Sequence, residues 1–151
     1  MKILITGING YIGSELKDFF LRKNYKIFGI KSKTKKKDYS NLIKKKIKPD
    51  VIIHCAGSGL VGINKFSYKT HKQKNLESTK ELVDFINKSN LKNSKIIFLS
   101  SQAVYGKIFV KKISEKVNLK PISSYGKTKV LAEKELKKIK NNFIIILRLF
   151  S

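Results

Sequence analysis

The sequence predicts an α/β fold, a doubly wound parallel sheet built as one domain. Short apolar runs alternate with amphipathic segments along all 151 residues, as expected for right-handed crossovers from strand to helix to strand. A glycine-rich turn directly follows the first apolar run, the position where such sheets pass from strand to helix. The hydrophobic fraction of 41% is enough for one core, and the chain is too short for two ordinary domains.

The first half of the chain is expected to supply three strands and two helices. Residues 2–6 are apolar and β-favouring, and residues 11–23 then repeat apolar side chains at helical spacing. Residues 25–30 form a second apolar run, and residues 39–48 predict a weak helix that ends before a proline. The continuous apolar run 51–56 is typical of a parallel strand covered on both faces.

The second half repeats this alternation. Residues 76–89 and 125–140 carry apolar side chains at helical spacing, and residues 95–100 and 143–149 are short apolar runs. Residues 34–38 are rich in lysine where a further apolar strand would be usual. The chain stops soon after the last run, and an uncovered strand this apolar would aggregate. We therefore expect a downstream segment or a partner to cover it.

Charge and composition restrict the classes of function. A formal net charge of +24 would attract polyanions. Almost all of that charge is lysine, however, and Arg22 and Arg148 are the only arginines. Surfaces that read nucleic acids favour arginine for bidentate contacts. A solvated lysine surface is therefore the preferred interpretation, and specific nucleic-acid binding is not expected.

Cysteine and histidine usage favours a metal-free protein of a reducing compartment. Cys55 is the only cysteine, so no intrachain disulfide can form, and a cytoplasmic location fits. Neither a signal peptide nor an apolar stretch of membrane-spanning length is found, so no membrane partner is expected. His54 lies in an apolar run and is expected in the core, whereas His71 is expected on the surface. Neither histidine has metal-ligand spacing with carboxylates.

The turn over residues 6–13 (TGINGYIG) carries a chemical signal. Gly7 permits a tight turn, Gly10 lets the backbone approach a pyrophosphate, and Gly13 lets the helix pack closely. Tyr11 and Ile12 open the following helix, whose unpaired N–H groups attract an anion. The sequence therefore predicts a dinucleotide site of the Rossmann type.

A second signal follows in the later strands and helices. Tyr125 and Lys129 are four residues apart and share one helix face, and Ser101 follows the apolar run 95–100. An ammonium beside a phenol favours the phenolate, which would lower the pKa of Tyr125 toward neutrality. Tyr125 could then exchange a proton with a substrate oxygen that Ser101 also hydrogen-bonds.

Together these motifs resemble those of the extended short-chain dehydrogenases/reductases, the NAD-dependent epimerase/dehydratase family. The glycine spacing after Thr6, the segments 50–57, 75–79 and 100–106, and the Tyr-x-x-x-Lys motif starting at Tyr125 occur in family order. Extended members reach about twice a single-domain length. The resemblance therefore implies that residues 1–151 are an NAD(P)-binding Rossmann domain, truncated at its C-terminus, with the substrate-binding domain absent.

The resemblance also implies an activity and a set of site residues. The expected enzyme is an NAD(P)-dependent epimerase, dehydratase or reductase that transfers hydride on a nucleotide-activated sugar. Gln102 and Ala103 replace the acidic pair of dehydratases, which leans against a 4,6-dehydratase. A homodimer through the helix of Tyr125 is compatible with the resemblance, and Tyr105 is expected to be a packing residue. The implied catalytic residues are Ser101, Tyr125 and Lys129, and the implied cofactor-binding residues are Thr6, Gly7, Gly10, Tyr11, Ile12, Gly13, Lys31, Ser32, Ala56, Gly57, Asn75, Tyr125 and Lys129.

The end of the second strand departs from the family pattern. An acidic residue there would bond the ribose of NAD, but Lys31, Ser32 and Lys33 stand in its place. These side chains could meet a 2′-phosphate instead, so NADP is slightly preferred over NAD.

Two other classes of function remain open. The first is a non-catalytic dinucleotide-binding fragment that needs a partner chain, which predicts cofactor binding without turnover. The second, ranked last, is a basic polyanion-binding protein. It predicts nucleic-acid binding with a steep salt dependence.

Overall fold

A parallel sheet of five strands forms the centre of the protein. The computed structural model describes residues 1–33, 35–58, 67–107 and 113–150. The strand order is β2-β1-β3-β4-β5, so the chain switches sides of the sheet between β1 and β3, the place where doubly wound sheets bind their ligands. The strands are β1 (Lys2–Thr6), β2 (Lys26–Ile30), β3 (Val51–His54), β4 (Lys95–Ser101) and β5 (Ile144–Leu149).

Helices connect successive strands, which confirms the predicted Rossmann-type α/β fold class. A stretch that begins as α3 continues through a π-helical segment into α4, so it starts well before the predicted position 76. Its start is set by Ser67, whose hydroxyl accepts a hydrogen bond from the Thr70 N–H. The helical elements are α1 (Tyr11–Arg22), α2 (Lys35–Lys44), α3 (Tyr68–His71), the π-helical segment (Lys72–Glu77), α4 (Ser78–Lys88), a 3₁₀ turn (Gln102–Val104) and α5 (Ser124–Leu136).

Helix α2 lies further toward the N-terminus than the predicted range 39–48. It takes up the lysine-rich residues that follow β2, where a strand would be usual; Thr34 lies outside the described residues. Lysine is a good helix former, and Tyr39 and Leu42 bury one face of the helix against the core. The helix ends before Lys46, which adopts a left-handed φ of 50°.

The two faces of the sheet are covered unequally. On one face, α2, α4 and α5 close the larger core, which includes Leu42, Leu82 and Leu136. On the other face, α1 packs through Leu16 and Phe20 on a smaller core. Three helices therefore cover one face, whereas α1 is the only described helix on the other.

Part of the α1 face remains open where β4 and β5 pair. Register places Ile97 beside Ile145, Leu99 beside Leu147 and Ser101 beside Leu149 on this face. Leu147 is 42% exposed and Leu149 is 44% exposed. In the described part of the chain β5 is an edge strand of the sheet. That further chain or a partner covers this exposed patch stays a prediction.

A buried ion pair joins β5 to α5. Arg148 donates from Nε to Glu133 Oε1 at 3.1 Å and from Nη2 to Glu133 Oε2 at 2.8 Å. Ser100 donates to the same carboxylate at 2.6 Å, and Arg148 also donates to the hydroxyl of Tyr105 at 3.0 Å. Glu133 and Tyr105 are both buried, which confirms Tyr105 as a packing residue.

Candidate functional site

The glycine turn between β1 and α1 is shaped by contacts that no side chain would permit. Gly7 has a left-handed φ of +70°, and a Cβ on it would lie 2.9 Å from the backbone of Ala56. A Cβ on Gly13 would lie 2.2 Å from the carbonyl oxygen of Gly7. These two glycines therefore bring β1, β3 and α1 close together.

The N-terminus of α1 presents its backbone N–H groups without a side-chain cap. Gly10 precedes the helix and, as a glycine, has no side chain with which to cap the amides of its first turn. Tyr11 is 88% exposed and Ile12 is 40% exposed. At this turn these two residues therefore offer their backbone N–H groups, and their side chains are not packed in the core. Such a helix end attracts phosphate oxygens through its N–H groups and its dipole.

A cavity of about 440 Å³ opens beside this turn, at the carboxyl ends of β1, β2 and β3. It is large enough for a good part of a small-molecule ligand. The half-buried Cys55 also lines it, and burial raises the pKa of that thiol to about 11. Seven predicted cofactor-binding residues line the cavity: Thr6, Gly7, Gly10, Lys31, Ser32, Ala56 and Gly57.

A chain of buried hydrogen bonds stands behind the cavity. Thr6 Oγ1 accepts from the Ala56 N–H and contacts His54 Nδ1. His54 Nε2 contacts Thr79 Oγ1 at 2.9 Å, and Thr79 donates to the Asn75 carbonyl at 2.7 Å. Because the Thr79 hydroxyl donates its proton to that carbonyl, Thr79 Oγ1 must accept a hydrogen bond from His54 Nε2. In the neutral ring, His54 Nδ1 then accepts from the Thr6 hydroxyl. Burial lowers the pKa of His54 to about 3, which confirms it as a neutral core residue.

Asn75, another predicted cofactor-binding residue, lies close to Gly57. Its side chain is buried, Oδ1 accepts from the Ser58 N–H at 2.9 Å, and Nδ2 donates to Thr128 at 3.0 Å. These two bonds join the loop after β3 to α5, next to Lys129. Asn75 therefore connects these two segments beside the cavity, and its role in binding the cofactor stays a prediction.

Ser101, Tyr125 and Lys129 meet at the ends of β4 and α5. The Ser101 side chain hydrogen-bonds Tyr125, and Lys129 Nζ lies 5.9 Å from the centre of the Tyr125 ring. A Cβ on Gly57 would lie 3.5 Å from Lys129 Nζ. Gly57 therefore lies between the cavity and these three residues.

Burial dominates the electrostatics of this cluster. Burial raises the pKa of Tyr125, and the hydrogen bond with Ser101 acts in the opposite direction. Burial lowers the pKa of Lys129 to about 8, and its ammonium donates to the Leu99 carbonyl at 2.7 Å above the Phe98 ring. The predicted lowering of the Tyr125 pKa is thus not found in this structure, because burial of the phenol outweighs the opposing effect of the Ser101 hydrogen bond.

His71 is buried, and the prediction of a surface residue was wrong. Its ring lies 5.7 Å from the ring of Tyr125, and Nδ1 is 3.2 Å from Ser58 Oγ. Burial lowers its pKa. Sequence reasoning missed this residue because the irregular helical stretch from Tyr68 to Lys88 hides the spacing that turns His71 inward.

No group of three or more histidine, cysteine or carboxylate side chains in the described ranges could hold a metal ion. Among the described helices, none combines the length and the apolar character needed to cross a bilayer.

Comparison with known proteins agrees with this arrangement. A sequence profile of the NAD dependent epimerase/dehydratase family matches residues 3–151. The chain belongs to the NAD-dependent epimerase/dehydratase family. The uncharacterized UDP-glucose epimerase YtcB of Bacillus subtilis (strain 168) is 31% identical over 100% of this chain and 56% of its own length.

Solved structures show the same architecture. UDP-glucuronic acid 4-epimerase from Bacillus cereus, in complex with NAD, is 27% identical and superposes with a TM-score of 0.78 over 100% of this chain and 57% of its own. The dTDP-4-dehydrorhamnose reductase from Bacillus anthracis str. Ames, in complex with NADP, has a TM-score of 0.78 at 23% identity, over 96% of this chain and 52% of its own. This family member thus spans about half the length of the relatives it matches.

Replacement of Lys129 by methionine is expected to stabilise this family member by about 1–2 kcal/mol near neutral pH, because it removes a buried charge. The pKa of Lys129 falls from 10.5 to about 8 on folding, so the folded chain binds fewer protons between these values. The free-energy cost of burying the charged Lys129 side chain is fully present below about pH 8 and disappears as the pH rises toward about 10.5. Urea unfolding of both proteins at about pH 7 and about pH 10 measures the difference.

Lys127→Met is the matched control, since Lys127 is an exposed lysine on the same helix. We expect it to change the free energy of unfolding by less than about 0.5 kcal/mol. A stability gain in Lys129→Met that is the same at both pH values would contradict the assigned cause.

Proposed function

We propose that residues 1–151 form the cofactor-binding domain of an enzyme that transforms a nucleotide-activated sugar with a nicotinamide dinucleotide. The observation that carries the proposal is a continuous site. The uncapped glycine turn leads along the cavity to Gly57, and Gly57 adjoins the cluster of Ser101, Tyr125 and Lys129. Family membership and the epimerase YtcB support the same class of reaction.

The residues present fit such a cofactor. The open backbone at Gly10 and the first amides of α1 suit a pyrophosphate, and the close packing at Gly7 and Gly13 leaves that backbone accessible. When bound, the nicotinamide would supply the hydride donor or acceptor. The pyrophosphate at the turn and the cluster beside Gly57 together define the direction in which a dinucleotide lies.

The protein groups would handle the proton that accompanies hydride transfer. Tyr125 Oη, with its raised pKa, keeps its proton at neutral pH and can donate it to a substrate oxygen. The Ser101 hydroxyl would hold the same oxygen, as it now holds the phenol. Lys129, with a pKa of about 8, remains mostly protonated near neutrality and supplies positive charge beside the phenol.

Choice of cofactor depends on the end of β2. Lys31 and Ser32 line the cavity there, which supports the modest preference for NADP. The carboxylate of Asp38 accepts the Lys31 N–H at 2.9 Å, so an acidic group reaches the same edge from α2. Because a carboxylate repels a 2′-phosphate, we propose that Asp38 keeps the preference for NADP small.

The substrate and outcome are proposed at a coarser level. An epimerase or a reductase of a nucleotide-activated sugar fits better than a 4,6-dehydratase, since Gln102 and Ala103 follow Ser101. The relatives carry nearly as much chain again outside the matched part. The substrate site, a homodimer and a cytoplasmic location stay predictions.

A second candidate is a dinucleotide-binding module that needs a partner chain for turnover. The open patch on β4 and β5, with Leu147 and Leu149 exposed, supports this alternative. The polyanion-binding alternative gains no support from Arg148, because its guanidinium is held in the internal pair with Glu133.

Separate titrations with NADH and NADPH, followed by nicotinamide fluorescence at moderate salt, test the proposal. We expect saturable binding of both, with NADPH bound at most about tenfold more tightly. Reduced nicotinamide mononucleotide, which lacks the adenosine and the pyrophosphate bridge, should bind far more weakly. A folded chain that binds neither dinucleotide would overturn the proposed function.

A further inference from the structure

We propose that Glu81 recognises the adenine base of the cofactor by accepting a hydrogen bond from its exocyclic amino group. This inference rests on the proposed function and names the residue that selects the base. Glu81 lies on α4, outside the glycine turn and outside the Ser101, Tyr125 and Lys129 cluster, and no sequence motif pointed to it.

The position of Glu81 in the cavity identifies the part of a dinucleotide it would meet. The cavity extends from Gly7 and Gly10 to Tyr39 on α2 and Glu81 on α4. Lys129 lies beside Gly57, and Tyr125 belongs to the same cluster. With the pyrophosphate at the turn, a bound dinucleotide would place its nicotinamide near Gly57 and its adenosine near Glu81.

One carboxylate oxygen of Glu81, Oε2, is buried and held by Lys35. Lys35 Nζ lies 2.8 Å from it as an ion-pair partner, and the atom is inaccessible to solvent in this structure. The Glu81 side chain as a whole is 30% exposed and lines the cavity. The rest of the carboxylate can therefore accept an N–H from a ligand in the cavity.

The Lys35 contact also orients the carboxylate. Both side chains are about 30% exposed, at 28% and 30%, so the pair sits at the cavity rim and joins α2 to α4. The carboxylate at this point of the cavity suits a hydrogen-bond donor, such as the amino group of a base.

The surroundings of Glu81 suit a flat, partly apolar ring. Ile30 and Tyr39 are buried wall residues of the same cavity, and the ring of Tyr39 packs on Phe85 at 5.0 Å. Burial, and after it the negative charge of Glu81, raises the pKa of the Tyr39 phenol. Tyr39 and Glu81 are therefore close neighbours in the cavity wall. An apolar wall beside one strong acceptor fits the amino edge of adenine.

Hypoxanthine provides the discriminating ligand, because it carries an acceptor oxygen where adenine carries the amino group. Wild-type chain should bind NADH at least about tenfold more tightly than reduced nicotinamide hypoxanthine dinucleotide. In Glu81→Gln the side-chain amide can donate to that oxygen, so the ratio of the two dissociation constants should fall to about one. Fluorescence titration of both dinucleotides measures the ratio, and circular dichroism checks the fold.

Glu77→Gln is the matched control. Glu77 precedes Glu81 by one helical turn, pairs with Lys80 at 3.2 Å and does not line the cavity, so the same change of charge should leave the ratio at its wild-type value. Tight NADH binding with an unchanged ratio in Glu81→Gln would overturn this inference alone. Failure of the folded wild type to bind either dinucleotide would overturn the proposed function together with it.

Discussion

Replacement of Gly10 by aspartate is expected to weaken NADH binding by at least about a hundredfold, equivalent to roughly 3 kcal/mol. The new carboxylate would stand at the N-terminus of α1, where the proposed pyrophosphate meets the helix amides. It would repel the phosphates and could also cap the free amides itself. A Cβ at this position already lies 3.1 Å from the Gly7 carbonyl oxygen, so the side chain has to project into the open site.

The matched control for charge is Asn24→Asp, at the far end of the same helix. Asn24 is exposed and adopts a left-handed φ of 59°, which aspartate tolerates. It adds the same single negative charge at a distance from the glycine turn. NADH affinity should stay within about threefold of wild type. Retention of wild-type affinity by Gly10→Asp would show that the dinucleotide does not bind at the glycine turn.

Loss of the Glu133 carboxylate is expected to have the largest effect on stability. In Glu133→Ala, Arg148 would keep its charge but lose both carboxylate bonds, and Ser100 would lose its acceptor. Removing one partner of a buried pair costs about 3–5 kcal/mol. Urea unfolding should show this loss as a lower midpoint at a similar slope.

Glu135→Ala on the same helix is the control, because its partner Lys138 is 68% exposed. Exposed pairs contribute about 0–1 kcal/mol. The double variant Glu133→Leu with Arg148→Met should recover much of the lost stability, since it removes both charges together. A Glu133→Ala protein as stable as Glu135→Ala would show that the pair between α5 and β5 is not what fastens the edge strand.

The open patch on β4 and β5 lies close to the proposed catalytic cluster. Its exposed leucines lie on the face where α1 is the only described helix, close to the strand ends that carry Ser101 and Leu149. Additional chain packed there would cover the patch and approach the proposed catalytic cluster.

The sequence by itself determined the order of the elements, the fold class and the glycine turn. These features are local, because the spacing of apolar residues within a strand or helix shows which of its faces is buried. Gly7 and Gly13 could be read in the same way, since the turn from strand to helix needs them. The start of α2 was missed because residues 34–38 carry no apolar period, and only burial of Tyr39 and Leu42 against α4 shows which face packs.

Only the tertiary structure decided which distant side chains meet. It turned His71 toward Tyr125, hydrogen-bonded Asn75 to Thr128, and brought Glu81 and Lys35 together from different helices. It also reversed the expected direction of the Tyr125 pKa, because proximity to Lys129 was visible in the spacing and desolvation was not. Burial and contacts across the sheet depend on how elements far apart in the chain pack together. The spacing of residues within one element does not show which distant side chains it will meet.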